Sequence, residues 1–394
     1  METSEKDAHL KHKVLVVCND GDYFLRHRLA VVTRLVSIGT DVCVIAGGSP
    51  IPENRIAGWK YIHVRIERFH VDPVSDFQLM VRTVRILLDF KPDAVHLITL
   101  KPMIVSGLAS IASRYFHGYP RNILITLPGL GRMLSKKRAG ERRYPVGTAL
   151  TLLLIRFLAR QPRVHITFET KHDYEFWEKK GIVNETNSTV IDGAGVDPEL
   201  FYPAKSPRGH FRIKVLFAGR FLKSKGLVAF LMSANALAGR PDVGFLVAGI
   251  ADDQDPDVVK PDRLTQLREI RFLGNVEDMP NLLRSCDIVC LPTSYGEGIP
   301  RILIEASATG LASIVSSHPG CLEIVKNGVT GKVLSATSDD ELGRELTQAV
   351  LSYLNDPISL RENQEAAHKH FLGRGFNQES VVARFVELLG AGSS

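Results

Sequence analysis

Tyr295-Gly-Glu-Gly-Ile-Pro-Arg-Ile-Leu-Ile-Glu305 is the stretch of sequence that decides the fold. It follows an apolar run at residues 286–292, which is typical of a buried strand in a parallel sheet. Two glycines flank Glu297 and suit a tight turn in which the backbone comes close to a ligand. The pattern predicts a strand, a turn and a helix, with Glu297 in the turn and Glu305 on the second turn of the helix.

The predicted start of this helix is a candidate site for a phosphate group. Pro300 suits the first helical position, and a helix start presents unpaired N–H groups and the positive end of the helix dipole. A carboxylate on each side of such a site is useful if the ligand also carries hydroxyls, as a sugar and a ribose do. Two interpretations stay open here: a site for a phosphorylated sugar, or a strand–turn–helix with two solvated glutamates.

The residues around this stretch resemble the donor-site core of glycosyltransferase family 4. Glu297 and Glu305 match the family's Glu-x7-Glu pattern, and residues 319–331 resemble the segment that follows it. Many members have Gly-x-Pro after the helix, where this chain has Gly310-Leu-Ala. Members are retaining enzymes that use nucleotide sugars. The resemblance implies an α/β protein of the GT-B fold, with two Rossmann-like parallel-sheet domains facing across a cleft.

Length and composition agree with two ordinary globular domains. The 394 residues are too many for one typical core, and 44% hydrophobic and 23% charged residues are usual for such domains. The formal net charge of +6 favours anionic partners: nucleotides, nucleic acid or an acidic membrane surface. Cys286 and Cys290 lack further candidate ligands, so we expect no zinc site. The five cysteines lie mostly in apolar runs, which is typical of reduced core residues in the cytosol.

The sequence contains no evident secretory signal or membrane-spanning segment. Residues 1–13 are polar and charged, which is unlike a signal peptide. The longest apolar run, at residues 148–159, is interrupted by Arg156 and is shorter than the roughly 20 residues that span a bilayer. We therefore expect a cytoplasmic protein that is peripheral at the inner face of the cell membrane.

Strand and helix patterns alternate along the whole chain. A strand at 13–18, a helix at 24–38 and a strand at 41–46 form the first predicted unit, a right-handed βαβ arrangement. Gly-x-Gly-x-x-Gly is absent from its first turn, which disfavours a dehydrogenase. By the resemblance we expect an acceptor-binding domain at 1–195, a donor domain at 196–372, and a final helix within 373–394 that crosses back to the first domain.

The acceptor half holds several candidate contacts that the sequence leaves undecided. His27 and Arg28 resemble a His-Arg pair on the family's first helix, and a solvated helix face is the alternative. Residues 100–102, which include Lys101, and residues 129–131 resemble loops of members that act on lipid-linked sugars. Both segments follow predicted parallel strands, where open α/β sheets bind ligands.

A dense basic run at residues 135–143 precedes the apolar segment 148–159. This combination is compatible with contact to an anionic membrane surface. The alternative is a solvated loop beside a core helix, and we expect the apolar segment to be core. Because no aromatic residues interleave with the cations, we do not expect nucleic acid as a partner.

The donor half contains a second candidate cluster, framed by Gly219 and Gly226. The resemblance implies that Arg220 and Lys225 bind the diphosphate of the donor. Lys223 is an alternative partner that lies off the family position, and solvated surface cations are the other alternative. Two fixed cations would neutralise the charge that grows on the leaving group, in place of a metal ion. Glu297 would hold hydroxyls of the transferred sugar. The resemblance implies further donor contacts from Gly219, Gly274, Asn275, Gly298, Ile299, Pro300 and Glu305, the last of these to the ribose.

The resemblance therefore implies a retaining, metal-independent hexosyltransferase that takes a sugar from a nucleotide-sugar donor, expected to be a UDP-sugar. The expected acceptor is a glycan on a polyprenyl diphosphate, in the synthesis of cell-surface polysaccharide. The donor is a substrate, and no cofactor is expected. Family members are thought to react by front-face attack, with the leaving phosphate helping to deprotonate the acceptor, so we assign no side-chain base. Two alternatives stay open: a nucleotide-sugar 2-epimerase of the same fold, and a non-catalytic donor-binding subunit.

Overall fold

The computed structural model describes residues 11–67, 72–129, 146–204, 212–253, 255–260 and 270–391, with only the backbone of 146 and 147. The chain divides into two compact units. The first unit comprises Met1–Pro128, Lys136–Ile191 and Val381–Ser394. The second unit comprises Gly129–Ser135 and Asp192–Ser380.

The first unit is built on a seven-stranded, fully parallel sheet with the order β3-β2-β1-β4-β5-β6-β7. Its strands are β1 (Lys13–Cys18), β2 (Asp41–Ala46), β3 (Lys60–His63), β4 (Ala94–Ile98), β5 (Asn122–Leu127), β6 (Val164–Phe168) and β7 (Ser188–Val190). Its helices are α1 (Gly21–His27), α2 (Leu29–Ser37), α3 (Pro73–Phe90), α4 (Leu100–His117), α5 (Val146–Ala159) and α6 (Lys171–Lys179). Strands β1, β2 and β4 are buried, mostly apolar runs, as expected where both faces of a sheet are covered.

The prediction of one helix over residues 24–38 is wrong, because the chain forms α1 and α2 with a break at Arg28. Arg28 is 1% exposed, and its Nη2 donates to Oε1 of Glu169 at 2.9 Å. Its guanidinium also lies 5.0 Å from the centre of the Phe385 ring. Apolar spacing alone did not predict this break, because an arginine in a helical pattern is normally taken as a surface residue, whereas Arg28 is buried.

The last helix of the chain, α13 (Gln378–Leu388), contributes to the core of the first unit. Val381, Phe385 and Leu389 are buried in one cluster with Val31 and Leu35 of α2. The final residues of the chain therefore complete a core that begins with β1, more than 300 residues earlier in the sequence.

The second unit is built on a six-stranded, fully parallel sheet with the order β10-β9-β8-β11-β12-β13. Its strands are β8 (Ile213–Ala218), β9 (Val243–Ala248), β10 (Ile270–Gly274), β11 (Ile288–Leu291), β12 (Ala312–Ser316) and β13 (Gly331–Leu334). Its helices are α7 (Leu227–Ala236), α8 (Met279–Arg284), α9 (Arg301–Ala308), α10 (Pro319–Ile324), α11 (Asp339–Asn355) and α12 (Pro357–Arg374).

Candidate functional site

Three glycines lie in turns at the carboxyl edge of the second sheet. Gly219 follows β8 and Gly249 follows β9, and a Cβ on Gly249 would overlap the carbonyl oxygen of Gly219. Gly274 ends β10 with φ at 65°, and its carbonyl oxygen accepts from the N–H of Gly249 at 2.8 Å. A side chain is excluded at Gly249, and Gly219 and Gly274 carry none, so the edge presents backbone, which suits close approach by a ligand.

Close packing and a hydrogen bond join the loops after β8 and β11. Residues Lys223–Lys225 form one 3-10 turn that ends at Gly226, whose φ is 80°. A Cβ there would overlap the carbonyl oxygen of Pro292, and the N–H of Ser294 donates to the carbonyl of Ser224 at 2.7 Å. These two contacts fix the backbone that carries Lys225 and the residues after Ser294.

The two cations that the sequence singled out lie against one aromatic ring. Arg220 Cζ is 5.1 Å and Lys225 Nζ is 5.2 Å from the centre of the Tyr295 ring. Lys225 Nζ also pairs with Oε1 of Glu297, and both side chains are mostly buried. Cation–π attraction and the ion pair therefore hold Arg220, Lys225 and Glu297 around Tyr295.

Arg220 is further held by a loop that sequence reasoning did not consider. Its Nη1 lies 3.2 Å from Oδ2 of Asp252 and 3.2 Å from Oδ2 of Asp255. Burial by itself would lower the pKa of Arg220, but the neighbouring Tyr295 and the two aspartates outweigh it and raise that pKa above its ordinary value. Arg220 is therefore a fixed charge rather than a mobile surface cation.

Asp255 ties this loop to the 3-10 turn. Its side chain is fully buried, and its Oδ1 accepts from the N–H of Asp257 at 3.0 Å. The carboxylate of Asp257 in turn accepts from the N–H of Ser224 at 2.7 Å. The available sequence signal was four aspartates within residues 252–257, directly after a strand. Such a cluster usually indicates a solvated loop, which is why its role was missed.

The turn after β11 is shaped by close contact with α10. A Cβ on Gly320 would overlap the carbonyl oxygen of Gly298, so only glycine fits there. Pro300 is the N-cap of α9, so its prediction as the first helical residue is wrong by one position. Gly298 and Ile299 therefore precede the helix start directly, and Ile299 is itself buried in the core of the second unit.

Glu305 lies on the second turn of α9, as predicted, and is 9% exposed. Its Oε1 accepts from Nε of Arg301 at 2.8 Å, one helical turn earlier, which fixes the carboxylate. Gly274 and Asn275 lie at the carboxyl end of β10, two positions from β8 in the sheet. The structure thus gathers Arg220, Lys225 and Glu297 around Tyr295, and places the other predicted residues at or after the ends of β8, β10 and β11.

In the first unit, the residues 100–102 are the first turn of α4 rather than a loop. Lys101 Nζ pairs with Oδ1 of Asp76 at 2.8 Å. Thr99 directly before it has φ at 76°, a strained conformation for a β-branched residue. Backbone strain of this kind is common at functional sites.

The other acceptor candidates include His27 and Arg28, which have different surroundings. His27 stacks on the ring of Tyr23 with 4.2 Å between ring centres. Arg28 is buried in its ion pair with Glu169, so it is not exposed to an acceptor. Residues 130 and 131 and the basic run 135–143 lie outside the described residues. In the described part of the chain, no group of three or more His, Cys, Asp or Glu side chains is arranged to hold a metal ion.

Comparison with solved structures identifies the fold. Anabaena HepE, in a crystal structure with UDP and glucose, superposes with a TM-score of 0.75 at 18% identity. The match covers 96% of this chain and 99% of that chain. Together with the two parallel sheets, this likeness defines the class of protein: the chain has the GT-B fold of two Rossmann-like domains.

Two family models match most of the sequence. Residues 201–370 match the model described as Glycosyl transferases group 1, and residues 13–151 match the model described as Glycosyl transferase 4-like. The chain therefore combines a glycosyl transferase 4-like domain with a group 1 glycosyltransferase domain.

The chain is also similar to two curated transferases. One is the N,N'-diacetylbacillosaminyl-diphospho-undecaprenol alpha-1,3-N-acetylgalactosaminyltransferase of Campylobacter jejuni, 29% identical over 191 residues, which are 46% of this chain and 49% of the relative. The other is the UDP-Gal:alpha-D-GlcNAc-diphosphoundecaprenol alpha-1,3-galactosyltransferase of Escherichia coli, 25% identical over 287 residues, or 69% of this chain and 70% of the relative. This chain spans about half the length of the first relative.

Proposed function

We propose that this chain is a retaining glycosyltransferase that moves a sugar from a UDP-sugar to a glycan carried on a polyprenyl diphosphate. The observation that carries the proposal is the contact cluster of Arg220, Tyr295, Lys225 and Glu297. It places two cations and a carboxylate at the carboxyl edge of the second sheet, beside glycine turns. The names of both curated relatives, which act on diphospho-undecaprenol carriers, support the acceptor class.

Arg220 and Lys225 would bind the donor diphosphate. As the bond to the sugar breaks, negative charge grows on the leaving nucleoside diphosphate, so fixed cations stabilise the transition state more than the ground state. A diphosphate that contacts Lys225 competes with Glu297 for the same ammonium group. Its arrival would therefore turn the Glu297 carboxylate toward the hydroxyls of the transferred sugar.

The turn before α9 would hold the sugar and the phosphates through its backbone. Only Gly298 and Ile299 can supply N–H groups there, because Pro300 has none. Glu305, fixed by Arg301, would accept hydrogen bonds from the ribose hydroxyls. The residues that remain, Gly219, Gly274 and Asn275, would contact the nucleotide at the ends of β8 and β10.

The two cations would also replace a metal ion, so we expect transfer to proceed without one. No side-chain base is assigned, since the departing phosphate can take the proton of the attacking hydroxyl. Every step then rests on groups that orient the donor and stabilise its leaving group.

Because polyprenyl carriers reside in membranes, the enzyme would work at the cytoplasmic face of a membrane as a peripheral protein. The basic run supports this location with five Lys or Arg residues between 136 and 143. Cations near an anionic surface contribute about 1 kcal/mol each, which suffices for reversible binding at low salt. No helix in the described part of the chain is long and apolar enough to cross a bilayer.

A donor screen tests the proposal. We expect a UDP-sugar and UDP to raise the unfolding temperature of the protein, and Lys225→Gln to remove most of that stabilisation. Lys223→Gln is the matched control, because Lys223 is on the same turn but is 64% exposed and pairs with Asp339. Stabilisation that is absent, or equally lost in both variants, would contradict the donor site.

Incubation with the donor alone separates the alternatives. We expect no epimer of the donor sugar, whereas a 2-epimerase would form one without any acceptor. A non-catalytic subunit would bind the donor but would show no turnover with any lipid-linked acceptor. Either result would replace the proposed activity.

A further inference from the structure

Helix α3 has an apolar stripe on the side that faces away from its sheet. Val74 and Phe77 are 67% and 68% exposed, and Val84 and Leu88 on the same side are also exposed. The spacing of three, seven and four residues places them on one helical face. The opposite face, which includes Leu79, is buried against the unit. This helix is therefore apolar on two sides, whereas a surface helix is normally polar on one.

Helix α5 has the same property. Ile155 and Leu158 are buried, as expected for a core helix. Leu150, Leu153 and Phe157, however, are 57%, 63% and 46% exposed, and their spacing of three and four places them on the opposite face. The prediction that residues 148–159 are core therefore holds for only one side of this helix.

Helix α4 lies between these two and continues the apolar surface. It packs against α3 on one side and α5 on the other. Ile104, Val105 and Leu108 are partly exposed along it, and Tyr115 and Phe116 are exposed at its end. We call the outward sides of α3, α4 and α5 the outer helix face. An apolar surface spread over three adjacent helices marks an interaction site.

The charges of these helices indicate which partner fits. Within their bounds are five cations, Arg82, Arg85, Lys101, Arg114 and Arg156, and two carboxylates, Asp76 and Asp89, a net charge of +3. Helices α4 and α5 contain no Asp or Glu. A second copy docked face to face would set like charges against each other, which costs free energy. An apolar face on helices of net positive charge instead complements the interface of an anionic bilayer.

We infer that the outer helix face is the surface by which this protein docks on an anionic lipid bilayer, an inference that rests on the proposed lipid-linked acceptor. The apolar rows enter the boundary between headgroups and acyl chains, and Arg82 and Arg85 contact lipid phosphates. Exposed Tyr and Phe suit this boundary, because their rings are apolar and Tyr carries a polar tip.

This docking would also bring the acceptor to the sheet. Helix α4 begins at Leu100, two residues after the end of β4. Helices α3 and α5 follow β3 and β5 in the chain and lead into β4 and β6. In a parallel sheet they therefore start at the same carboxyl edge as α4. A bilayer against the outer helix face therefore lies beside the edge that holds strained Thr99 and Lys101.

Vesicle flotation of the full chain tests the inference. We expect the protein to float with vesicles of phosphatidylglycerol and phosphatidylcholine, and less with phosphatidylcholine alone or at high salt. The double variant Phe77→Gln with Leu153→Gln should bind the anionic vesicles about tenfold or more weakly, because two large apolar side chains are no longer buried in lipid. The matched control is Ile358→Gln with Leu372→Gln, which changes two residues of α12 that are 72% and 62% exposed.

Unchanged vesicle binding in the Phe77 and Leu153 variant, equal loss in the control, or no binding of the wild type would overturn the inference. A dimer in light scattering that dissociates in this variant, without vesicle binding, would assign the face to a second copy. Transfer to a water-soluble acceptor separates this question from the proposed function. The variant should keep that activity, and a wild type that binds vesicles but never transfers sugar would contradict only the proposed function.

Discussion

The Arg220 guanidinium contacts more groups than an ordinary surface cation does. Two aspartates contact its guanidinium and Tyr295 lies beneath it. Holding two carboxylates at one arginine keeps the positive charge at a fixed point, which suits stabilisation of a charge that develops during a reaction. Asp255 would then be a positioning residue that acts on the donor through Arg220.

Substitutions at these two positions test that relationship. Arg220→Gln should lower kcat about 10²-fold or more, because leaving-group charge is greatest in the transition state. Asp255→Asn should also lower kcat, but in the double variant it should add little, because its effect passes through Arg220. Asp253→Asn, an exposed position on the same loop, is the control. Full additivity of the two losses in the double variant would show that Asp255 acts independently.

His96 links the stability of the first unit to pH. It is buried, its Nε2 hydrogen-bonds with Oγ1 of Thr126 at 2.8 Å, and Phe385 lies over it. Burial, and then the charge of Arg28, lower its pKa from 6.5 to about 3. Between these values the unfolded chain binds a proton that the folded chain does not, so stability falls as the pH falls from 6.5 toward 3.

Replacing His96 should weaken this pH dependence. Going from pH 6.5 to pH 5, the histidine should cost the wild type about 2 kcal/mol of unfolding free energy. His96→Gln cannot bind that proton, so its loss of stability over the same interval should be smaller by about this amount. Denaturant unfolding at several pH values measures the difference. Parallel curves for wild type and variant would show that His96 does not titrate in this way.

At the scale of the elements, the alternation of strands and helices was predictable because parallel strands are continuous apolar runs. The predicted bounds of β1 and β2 are confirmed. Two features were not predictable: the break between α1 and α2, and the exposed side of α5. Both depend on which residues pack against a given side chain, as Glu169 does against Arg28. The spacing of residues along the sequence does not contain that information.

The candidate site was predicted in part for the same reason. Glycines and charged residues next to strand ends are visible in the sequence, so Lys225 and Glu297 could be named. The contacts that fix Arg220 come from residues 252 and 255, more than 30 positions away along the chain. Residues 252 and 255 come close to Arg220 because β8 and β9 are neighbours in the sheet, and the sequence alone does not show this.

The contact between α10 and the turn before α9 gives a prediction for a single glycine. Gly320→Ala would place a methyl group against the carbonyl of Gly298, so the turn must move. We expect weaker UDP binding with little change in the rest of the fold. Gly373→Ala in α12, where a Cβ would meet nothing within 4 Å, should be neutral or slightly stabilising. Calorimetric titration with UDP compares the two, and equal affinities would contradict the role of this contact.

At the scale of the whole molecule, the proposed division of labour places donor chemistry in the second unit and acceptor and lipid contact in the first. The donor cluster consists only of second-unit residues, and the outer helix face only of first-unit residues. Variants of one unit should therefore alter donor affinity or vesicle binding, but not both.

The most direct measurement is transfer from a UDP-sugar to a polyprenyl-diphosphate-linked glycan, followed by mass spectrometry and NMR of the extracted lipid, with EDTA present throughout. The account predicts a lipid product heavier by one sugar residue, joined with the anomeric configuration of the donor. It also predicts that Arg220→Gln with Lys225→Gln nearly abolishes this product while Lys223→Gln does not. A product that requires added manganese, an inverted linkage, or full activity in the variant that lacks both cations would contradict the account.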